Sequence, residues 1–343
     1  MTDSTNRAKL TVLGAGSWGT SLAILLAEKG YEVQLWERNT EWAEELRTTR
    51  KNERYLGSDV TFPAQLEIAT SLESAVQDAE MIVLATPSHT IRSLSSQLKG
   101  KLSDRVILCN VAKGIEMDTF LTMSQVIRSV LPEIPDSRIS ALYGPSHAEE
   151  VSRGLPTTIV AASRDLETSR KIRDYFTTPR FRVYSNSDLL GVEIGGSVKN
   201  VMAIAAGISD GIGFGDNAKA ALMTRGMHEI TRLGIALGAQ KETFAGLTGI
   251  GDLIVTCMSR HSRNRHVGEQ IGKGKTLKEV LDSMIMVAEG VNTTRSAYGL
   301  AKKLGIEMPI TEAVYQILFE NQSPREVVKA LMTRSAKDED WGN

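Results

Sequence analysis

The chain has 343 residues, with 40 Lys and Arg against 41 Asp and Glu, which gives a formal net charge of −1 and a sequence pI of about 6.6. That balance leaves no broad basic footprint for nucleic acid, and the length exceeds what one hydrophobic core usually organises, so two domains are expected. Two cysteines and five histidines offer neither a disulfide framework nor metal-ligand spacing, because His261 and His266 do not stack on one helical face and His228 lacks the second histidine of a zinc-binding helix; surface or hydrogen-bonded histidines, no metal and a reducing cytoplasm are expected.

The polar opening MTDSTNRAK leads straight into an apolar strand, with no signal peptide expected before it. Residues 9–19, KLTVLGAGSWG, then set Gly14, Gly16 and Gly19 at the bend between that strand and apolar residues at helical spacing over 18–29. Gly14 allows the tight turn, Gly16 has no Cβ to block a phosphate, and Gly19 lets the helix pack closely on the sheet. The helix N-terminus offers free N–H groups and its positive dipole end where the pyrophosphate of a dinucleotide would lie. A second strand over 33–36 ends at Glu37, 23 positions after Gly14, where an acid that binds ribose belongs. Further strands are expected over 81–85, 106–110 and 139–142, alternating with helices over 41–50, 91–98 and 120–131. Runs over 157–161 and 181–184 flank another helix and extend the sheet. Alternation of this kind predicts an α/β fold, a Rossmann-type doubly wound parallel sheet in residues 1–187.

After Asp188 the periodicity changes to about 3.6 and β-branched runs thin out. Helices are expected over 188–206, 218–237, 251–257, 277–284, 291–304, 309–319 and 324–333, an all-helical C-terminal domain over 188–343. Apolar runs such as 201–208 are too short to span a bilayer, so no membrane insertion is expected. The charged tail SAKDEDWGN is expected to fray. With no low-complexity linker, the two domains should pack directly and leave a cleft for the second substrate.

Five segments carry chemistry. Lys199 sits in LLGVEIGGSVKNVMAIAAGISDG, on a helix whose other residues are nearly all apolar or small. Buried, its ammonium would lose pKa and serve as a proton donor and acceptor near neutral pH; snorkelling to the surface is the alternative. Lys113 follows the strand over 106–110, at the carboxyl end where ligands of such sheets bind, or is a solvated loop lysine. YGPSHAE offers Gly144, Ser146 and a helix N-terminus to a small polar ligand, or is only a strand-to-helix turn. SRHSRNR gathers Arg260, Arg263 and Arg265 with Ser262 and Asn264, donors suited to a compact phosphate or else a solvated basic loop. Asp252, in TGIGDLIVTC, either caps the helix that follows, bonds a substrate hydroxyl or orients Lys199.

In order along the chain, GAGSWG at 14–19, ATPSH at 85–89, AKG at 112–114, YGPSHAEE at 143–150, GGSVKNV at 195–201, SDGIGFGDN at 209–217, TGIGDLIVTC at 248–257 and SRNR at 262–265 resemble the signatures of bacterial NAD(P)-dependent glycerol-3-phosphate dehydrogenases. EGVNTT at 289–294 and MPITEAVY at 308–315 carry the likeness almost to the end. The resemblance implies reversible hydride transfer between a nicotinamide and the central carbon of dihydroxyacetone phosphate, giving sn-glycerol 3-phosphate for glycerophospholipid synthesis. It also implies that Ser17, Trp18, Arg38, Lys113 and Ala148 contact the dinucleotide, with Val287 and Glu289 closing over it. Lys113, Gly144, Ser146, Lys199, Asp252, Ser262, Arg263 and Asn264 are implied to contact the substrate, Arg263 lying near both ligands and Lys199 moving the proton. Glu37 suits the ribose hydroxyls of NADH whereas Arg38 attracts a 2′-phosphate; the resemblance tilts the expectation to NADPH with NADH tolerated. Two other readings stay open on sequence: a sister enzyme acting on a small carboxylate, and a dinucleotide-binding sensor without turnover. The assembly is left open as well, a homodimer included.

Overall fold

The computed structural model describes residues 8–335 and 339; apart from Ser335 and Glu339, the tail expected to fray lies outside the described residues. One sheet contains β1 (Lys9–Leu13), β2 (Glu32–Trp36), β3 (Leu66–Ala69), β4 (Met81–Leu84), β5 (Ile107–Asn110), β6 (Ile139–Tyr143), β7 (Thr157–Ser163) and β8 (Phe181–Asn186), in the order β3-β2-β1-β4-β5-β6-β7-β8. Helices α1 (Ser17–Glu28), α2 (Thr40–Thr49), α3 (Glu53–Leu56), α4 (Leu72–Val76), α5 (Ile91–Leu98), α6 (Met123–Val130), α7 (Ala148–Val151) and α8 (Leu166–Phe176) lie between the strands. Side chains alternate faces along each strand, so Leu10, Val12 and Val83 enter the core on one side of the sheet and Leu13, Ile82 and Leu84 enter the core on the other. Both faces being covered, β4, β5 and β6 are buried along their whole length; β4 reads as an unbroken apolar run, and β5 and β6 do so but for the buried Asn110 and Ser140.

Two features depart from the expected sheet. β3 was not foreseen: it pairs in parallel with β2 at the edge, and its four residues LEIA include an exposed Glu67 that breaks the apolar run. The remaining pairs are parallel except β6 with β7, which run antiparallel with Tyr143 opposite Val160. The only helix between them is the single turn α7, so no crossover helix carries the chain back for a parallel return.

From Leu189 onward the described structure is helical: α9 (Leu189–Ile212), α10 (Asp216–Ala236), α11 (Lys241–Phe244), α12 (Asp252–Met258), α13 (Arg263–Gly272), α14 (Leu277–Asp282), α15 (Glu289–Leu304), α16 (Pro309–Phe319) and α17 (Pro324–Met332). α9 runs past its expected end at Ala206 to Ile212, with a C-cap at Gly213 whose φ is +91°. Its 24 residues are long and apolar enough to cross a bilayer, yet 94% of its apolar window is buried inside the protein. The other helices wrap it, α13 most closely. A Cβ on Gly207 would lie 2.0 Å from the Arg265 carbonyl oxygen, and one on Gly268 would lie 2.0 Å from the Ile204 carbonyl oxygen. The two backbones therefore touch, as only glycine permits.

The helical half is clasped to the sheet half by buried polar contacts. Glu193 of α9 accepts hydrogen bonds from the Thr122 hydroxyl at 2.7 Å and the Ser124 amide at 2.8 Å, at the N-terminus of α6. Ser296 of α15 donates to the Ile115 carbonyl at 2.8 Å. A cleft remains between the carboxyl ends of the strands and α9, α12 and α13.

Candidate active site

The cleft holds a cavity of about 800 Å³, and the glycine turn forms one end of it. Gly14 has φ +116°, and a Cβ there would meet the Ala85 carbonyl oxygen at 2.9 Å. A Cβ on Gly19 would fall 2.0 Å from the Gly14 carbonyl oxygen, so α1 starts this close to β1 only because that position lacks one. At Gly16 nothing lies within 4 Å of where a Cβ would stand. α1 also begins without a side-chain cap, which leaves its first N–H groups for an anion. This cradle fits the pyrophosphate of a dinucleotide. Gly14, Gly16, Ser17 and Trp18 line the cavity, while Gly19 stands behind its wall.

Past the end of β2, Glu37 and Arg38 also line the cavity. Glu37 Oε1 accepts the Asn39 amide at 2.9 Å, so one of its oxygens is turned onto its own loop.

At the far end, α9 carries Lys199 inward, where it is 5% exposed. Lys199 Nζ donates to Asp252 Oδ1 at 2.6 Å and to Thr256 Oγ1 at 2.5 Å. Lys113 Nζ, from the loop after β5, donates to Asp252 Oδ2 at 2.7 Å and to the Gly144 carbonyl at 3.0 Å. One carboxylate thus joins two ammonium groups. Burial pulls the Lys199 ammonium down to about 8; Asp252 opposes that fall and Lys113 adds to it. Burial would raise the Asp252 carboxyl, but Lys113 and Lys199 together outweigh it and hold the group below its ordinary value. Of the three readings of Asp252, its side-chain contacts match the orientation of Lys199, because the carboxylate spans the lysines instead of capping α12. Gly251, ending a π-helical turn over Leu247–Gly251, occupies the cap position.

The basic segment after Ser259 is a turn only over 260–261 and then becomes helical. Ser262 Oγ accepts the Arg265 amide at 3.2 Å and caps α13, so Arg263 and Asn264 stand in the first turn of a helix. Contact with α9 through Gly207 and Gly268 sets that turn beside Lys199. Ser262, Arg263 and Asn264 line the cavity; Arg263 Nη1 donates to the Val287 carbonyl at 2.8 Å, and Asn264 Oδ1 accepts the Gly290 amide at 2.9 Å. Arg260 does not line it. Glu289 bridges the halves by accepting from the Ser88 amide at 2.9 Å and the Ser88 hydroxyl at 2.5 Å. Ser146, Ala148 and Val287 complete the wall, and Gly144 reaches it through the carbonyl that holds Lys113.

Sequence reasoning missed several lining residues. Thr256 lies one helical turn after Asp252, a polar pair at i,i+4 in an apolar helix that would have marked it. His147 was expected to be exposed or hydrogen-bonded, but its Nε2 is buried without a partner, and its ring lies 5.8 Å from that of His261. Burial lowers its pKa, and Lys199 lowers it further. Among the described residues no group of three or more His, Cys, Asp or Glu could hold a metal ion, and both cysteines are free and buried.

A doubly wound sheet with this glycine turn, joined across a cleft to a buried lysine on an all-helical half, defines a dinucleotide-dependent dehydrogenase. Residues 9–169 match the N-terminal family of NAD-dependent glycerol-3-phosphate dehydrogenase and residues 188–329 match its C-terminal family. The chain is 56% identical over 334 residues to "Glycerol-3-phosphate dehydrogenase [NAD(P)+] 1" of Salinibacter ruber, covering 97% of this chain and 98% of that one. It is 55% identical over 332 residues to the glycerol-3-phosphate dehydrogenase [NAD(P)+] of Chlorobium phaeobacteroides, covering 96% and 99%. The crystal structure of glycerol-3-phosphate dehydrogenase from Coxiella burnetii superposes with a TM-score of 0.91 at 37% identity, over 96% of this chain and 99% of that one. The chain belongs to the NAD-dependent glycerol-3-phosphate dehydrogenase family. It is an oxidoreductase with NAD(P)-dependent glycerol-3-phosphate dehydrogenase activity.

Proposed function

We propose that the protein reduces dihydroxyacetone phosphate reversibly to sn-glycerol 3-phosphate, prefers NADPH while tolerating NADH, and supplies glycerophospholipid synthesis in the cytoplasm. In this reading residues up to 187 hold the dinucleotide and those from 188 hold the substrate and move the proton. The bound nicotinamide supplies or accepts the hydride. Gly14, Gly16, Ser17 and Trp18 seat the pyrophosphate half, with Ala148 beside them and Val287 and Glu289 across the cleft. Arg263, Ser262 and Asn264 grip the substrate phosphate at the start of α13, and Ser146 and Gly144 flank its carbon chain.

Negative charge builds on the carbonyl oxygen as the ketone is reduced. Lys199 and Lys113 face that charge, and Lys199 gives up its proton to the new alkoxide, then takes one back in the reverse direction. Asp252 and Thr256 hold the Lys199 amine in place. The observation that carries this reading is the Lys199–Asp252–Lys113 bridge at the opposite end of one cavity from the glycine turn. The NADPH preference is supported by Arg38 at the cavity mouth and by the Glu37 carboxylate turned onto the Asn39 amide.

The test follows absorbance at the nicotinamide band with dihydroxyacetone phosphate and each reduced cofactor in turn. Rapid, phosphate-dependent consumption of NADPH, slower with NADH, is expected. Turnover of short keto acids in place of the triose phosphate would overturn the substrate, and equal efficiency with both cofactors would overturn the preference.

A further inference from the structure

The mouth of the cavity beside Arg38 contains a cationic and aromatic cluster that the roles above leave unused. Trp42 of α2 and Tyr55 of α3 meet edge to face, their ring centroids 6.3 Å apart at 90°. The Arg54 guanidinium lies 5.8 Å from the Trp42 ring centre and 5.3 Å from that of Tyr55. All three residues line the same cavity as Arg38.

The cluster has a fixed place relative to the glycine turn. Asn52 is fully buried, and its Nδ2 donates to the Ala15 carbonyl at 2.9 Å and to Thr20 Oγ1 at 2.7 Å, which ties the start of α3 to the start of α1. A guanidinium held beside aromatic rings by cation–π attraction still has N–H groups to offer an oxyanion. Trp42 Nε1 is also shielded from solvent without an acceptor. Across the mouth, Glu37 has one oxygen committed to the Asn39 amide. Two guanidinium groups, one of them held on rings, therefore face the ribose end of the cavity.

We propose that Arg54, held within cation–π distance of Trp42 and Tyr55, is a second guanidinium that receives the adenosine 2′-phosphate together with Arg38 and so sets the preference for NADPH. The inference rests on the NADPH preference proposed above and adds the residue and the platform that produce it. Arg38 and Arg54 are both exposed, but Arg54 has two rings within cation–π distance, which restrict where its guanidinium can go.

The test is equilibrium binding to the full chain by calorimetry, with adenosine 2′,5′-bisphosphate and adenosine 5′-monophosphate as probes, so that no turnover is needed. Wild-type protein should bind the bisphosphate more tightly by about tenfold or more. Arg54→Gln should weaken the bisphosphate by about fivefold or more and leave the monophosphate within about twofold, much as Arg38→Ala does. Trp42→Ala should copy the loss and Trp42→Phe, which keeps a ring under Arg54, should restore most of it. Thermal midpoints of the variants near that of wild type would show that each is folded. Equal weakening of both probes, or none, in Arg54→Gln would overturn the role of Arg54 while leaving the NADPH preference standing. Equal binding of the two probes by the wild type would remove the preference itself, and the proposal with it.

Discussion

Lys199 Nζ lies 2.6 Å from Asp252 Oδ1, an ion pair whose two side chains are 6% and 2% exposed. With so little water present, the pair sets the working pH of the site. Lys199, near 8, must be protonated to donate in the reduction of the ketone and neutral to accept in the oxidation of the alcohol. Reduction should therefore lose efficiency as pH rises through about 8, while oxidation gains over the same interval. Profiles of kcat/KM against pH in both directions check this. A pair of profiles without opposed limbs in that region would count against Lys199 as the titrating group. In Asp252→Asn the ammonium loses its counter-charge, and the limb should move down by roughly one to three units.

Arg keeps a positive charge at position 199 but does not release its proton under ordinary conditions. Lys199→Arg should bind the dinucleotide nearly as well as the parent and lose about a hundredfold or more of its turnover. Fluorescence titration of NADPH alongside steady-state rates separates the two effects. A rate near that of the wild type would take Lys199 out of the mechanism.

Arg263 stands in the first turn of α13, away from the reacting carbon, and its proposed grip on the phosphate holds the carbonyl in place. Arg263→Ala should cut kcat/KM for dihydroxyacetone phosphate by on the order of a hundredfold, since a charge-assisted contact contributes about 1.5 to 3 kcal/mol and positioning adds to it. Activity on unphosphorylated dihydroxyacetone should change little at saturating NADPH. If the ratio between the two substrates stays constant, the phosphate is held elsewhere.

The contact between α9 and α13 predicts a loss that no cavity residue would explain. A methyl group at Gly268 meets the Ile204 carbonyl oxygen at 2.0 Å, a backbone atom that cannot swing aside, so Gly268→Ala must push the helices apart. Overpacking of this kind costs about 1 to 3 kcal/mol, and the displaced α13 carries Ser262, Arg263 and Asn264 away from Lys199. A lowered Tm together with a raised KM for the triose phosphate, and a smaller rise in the Kd for NADPH because the glycine turn is untouched, is expected. Wild-type values for all three would mean that the helices have slack.

Much of this site was legible in the sequence because its determinants are local. Gly14, Gly16 and Gly19 follow a strand and open a helix, and a lone Lys199 in a long apolar helix announces a buried charge. β3 was missed because Glu67 interrupts a run of four residues at the sheet edge, where one side needs no apolar cover. α13 was missed because its first turn, Arg263 to Arg265, carries no apolar period; its buried face is made of Val267, Gly268 and Ile271, and glycine gives no hydrophobic signal. The four-residue spacing of Gly207 with Gly211 and of Gly268 with Gly272 would have pointed to a close helix pair. The antiparallel join of β6 and β7 depends on what lies between them, and α7 is too short for its absence as a crossover to show in a periodic pattern. Asp252 reads naturally as a helix cap, and only the fold brings Lys113 to its second oxygen.

The bridge of Lys113, Asp252 and Lys199 also has an electrostatic consequence at longer range. Two ammonium groups share one carboxylate, so the trio keeps one uncompensated positive charge, while Arg263 at the same wall is offset by Glu289 and Glu149. A chain whose formal net charge is −1 thus contains a cationic hole walled by low-dielectric core, and field lines in such a cleft focus outward through its mouth. Capture of the dianionic triose phosphate should accordingly slow as ionic strength rises and the Debye length shrinks to about 10 Å at 0.1 M. Capture of neutral dihydroxyacetone should be indifferent to salt, and stopped-flow association rates for the two compared across a salt series would reveal whether the hole guides its substrate or only holds it.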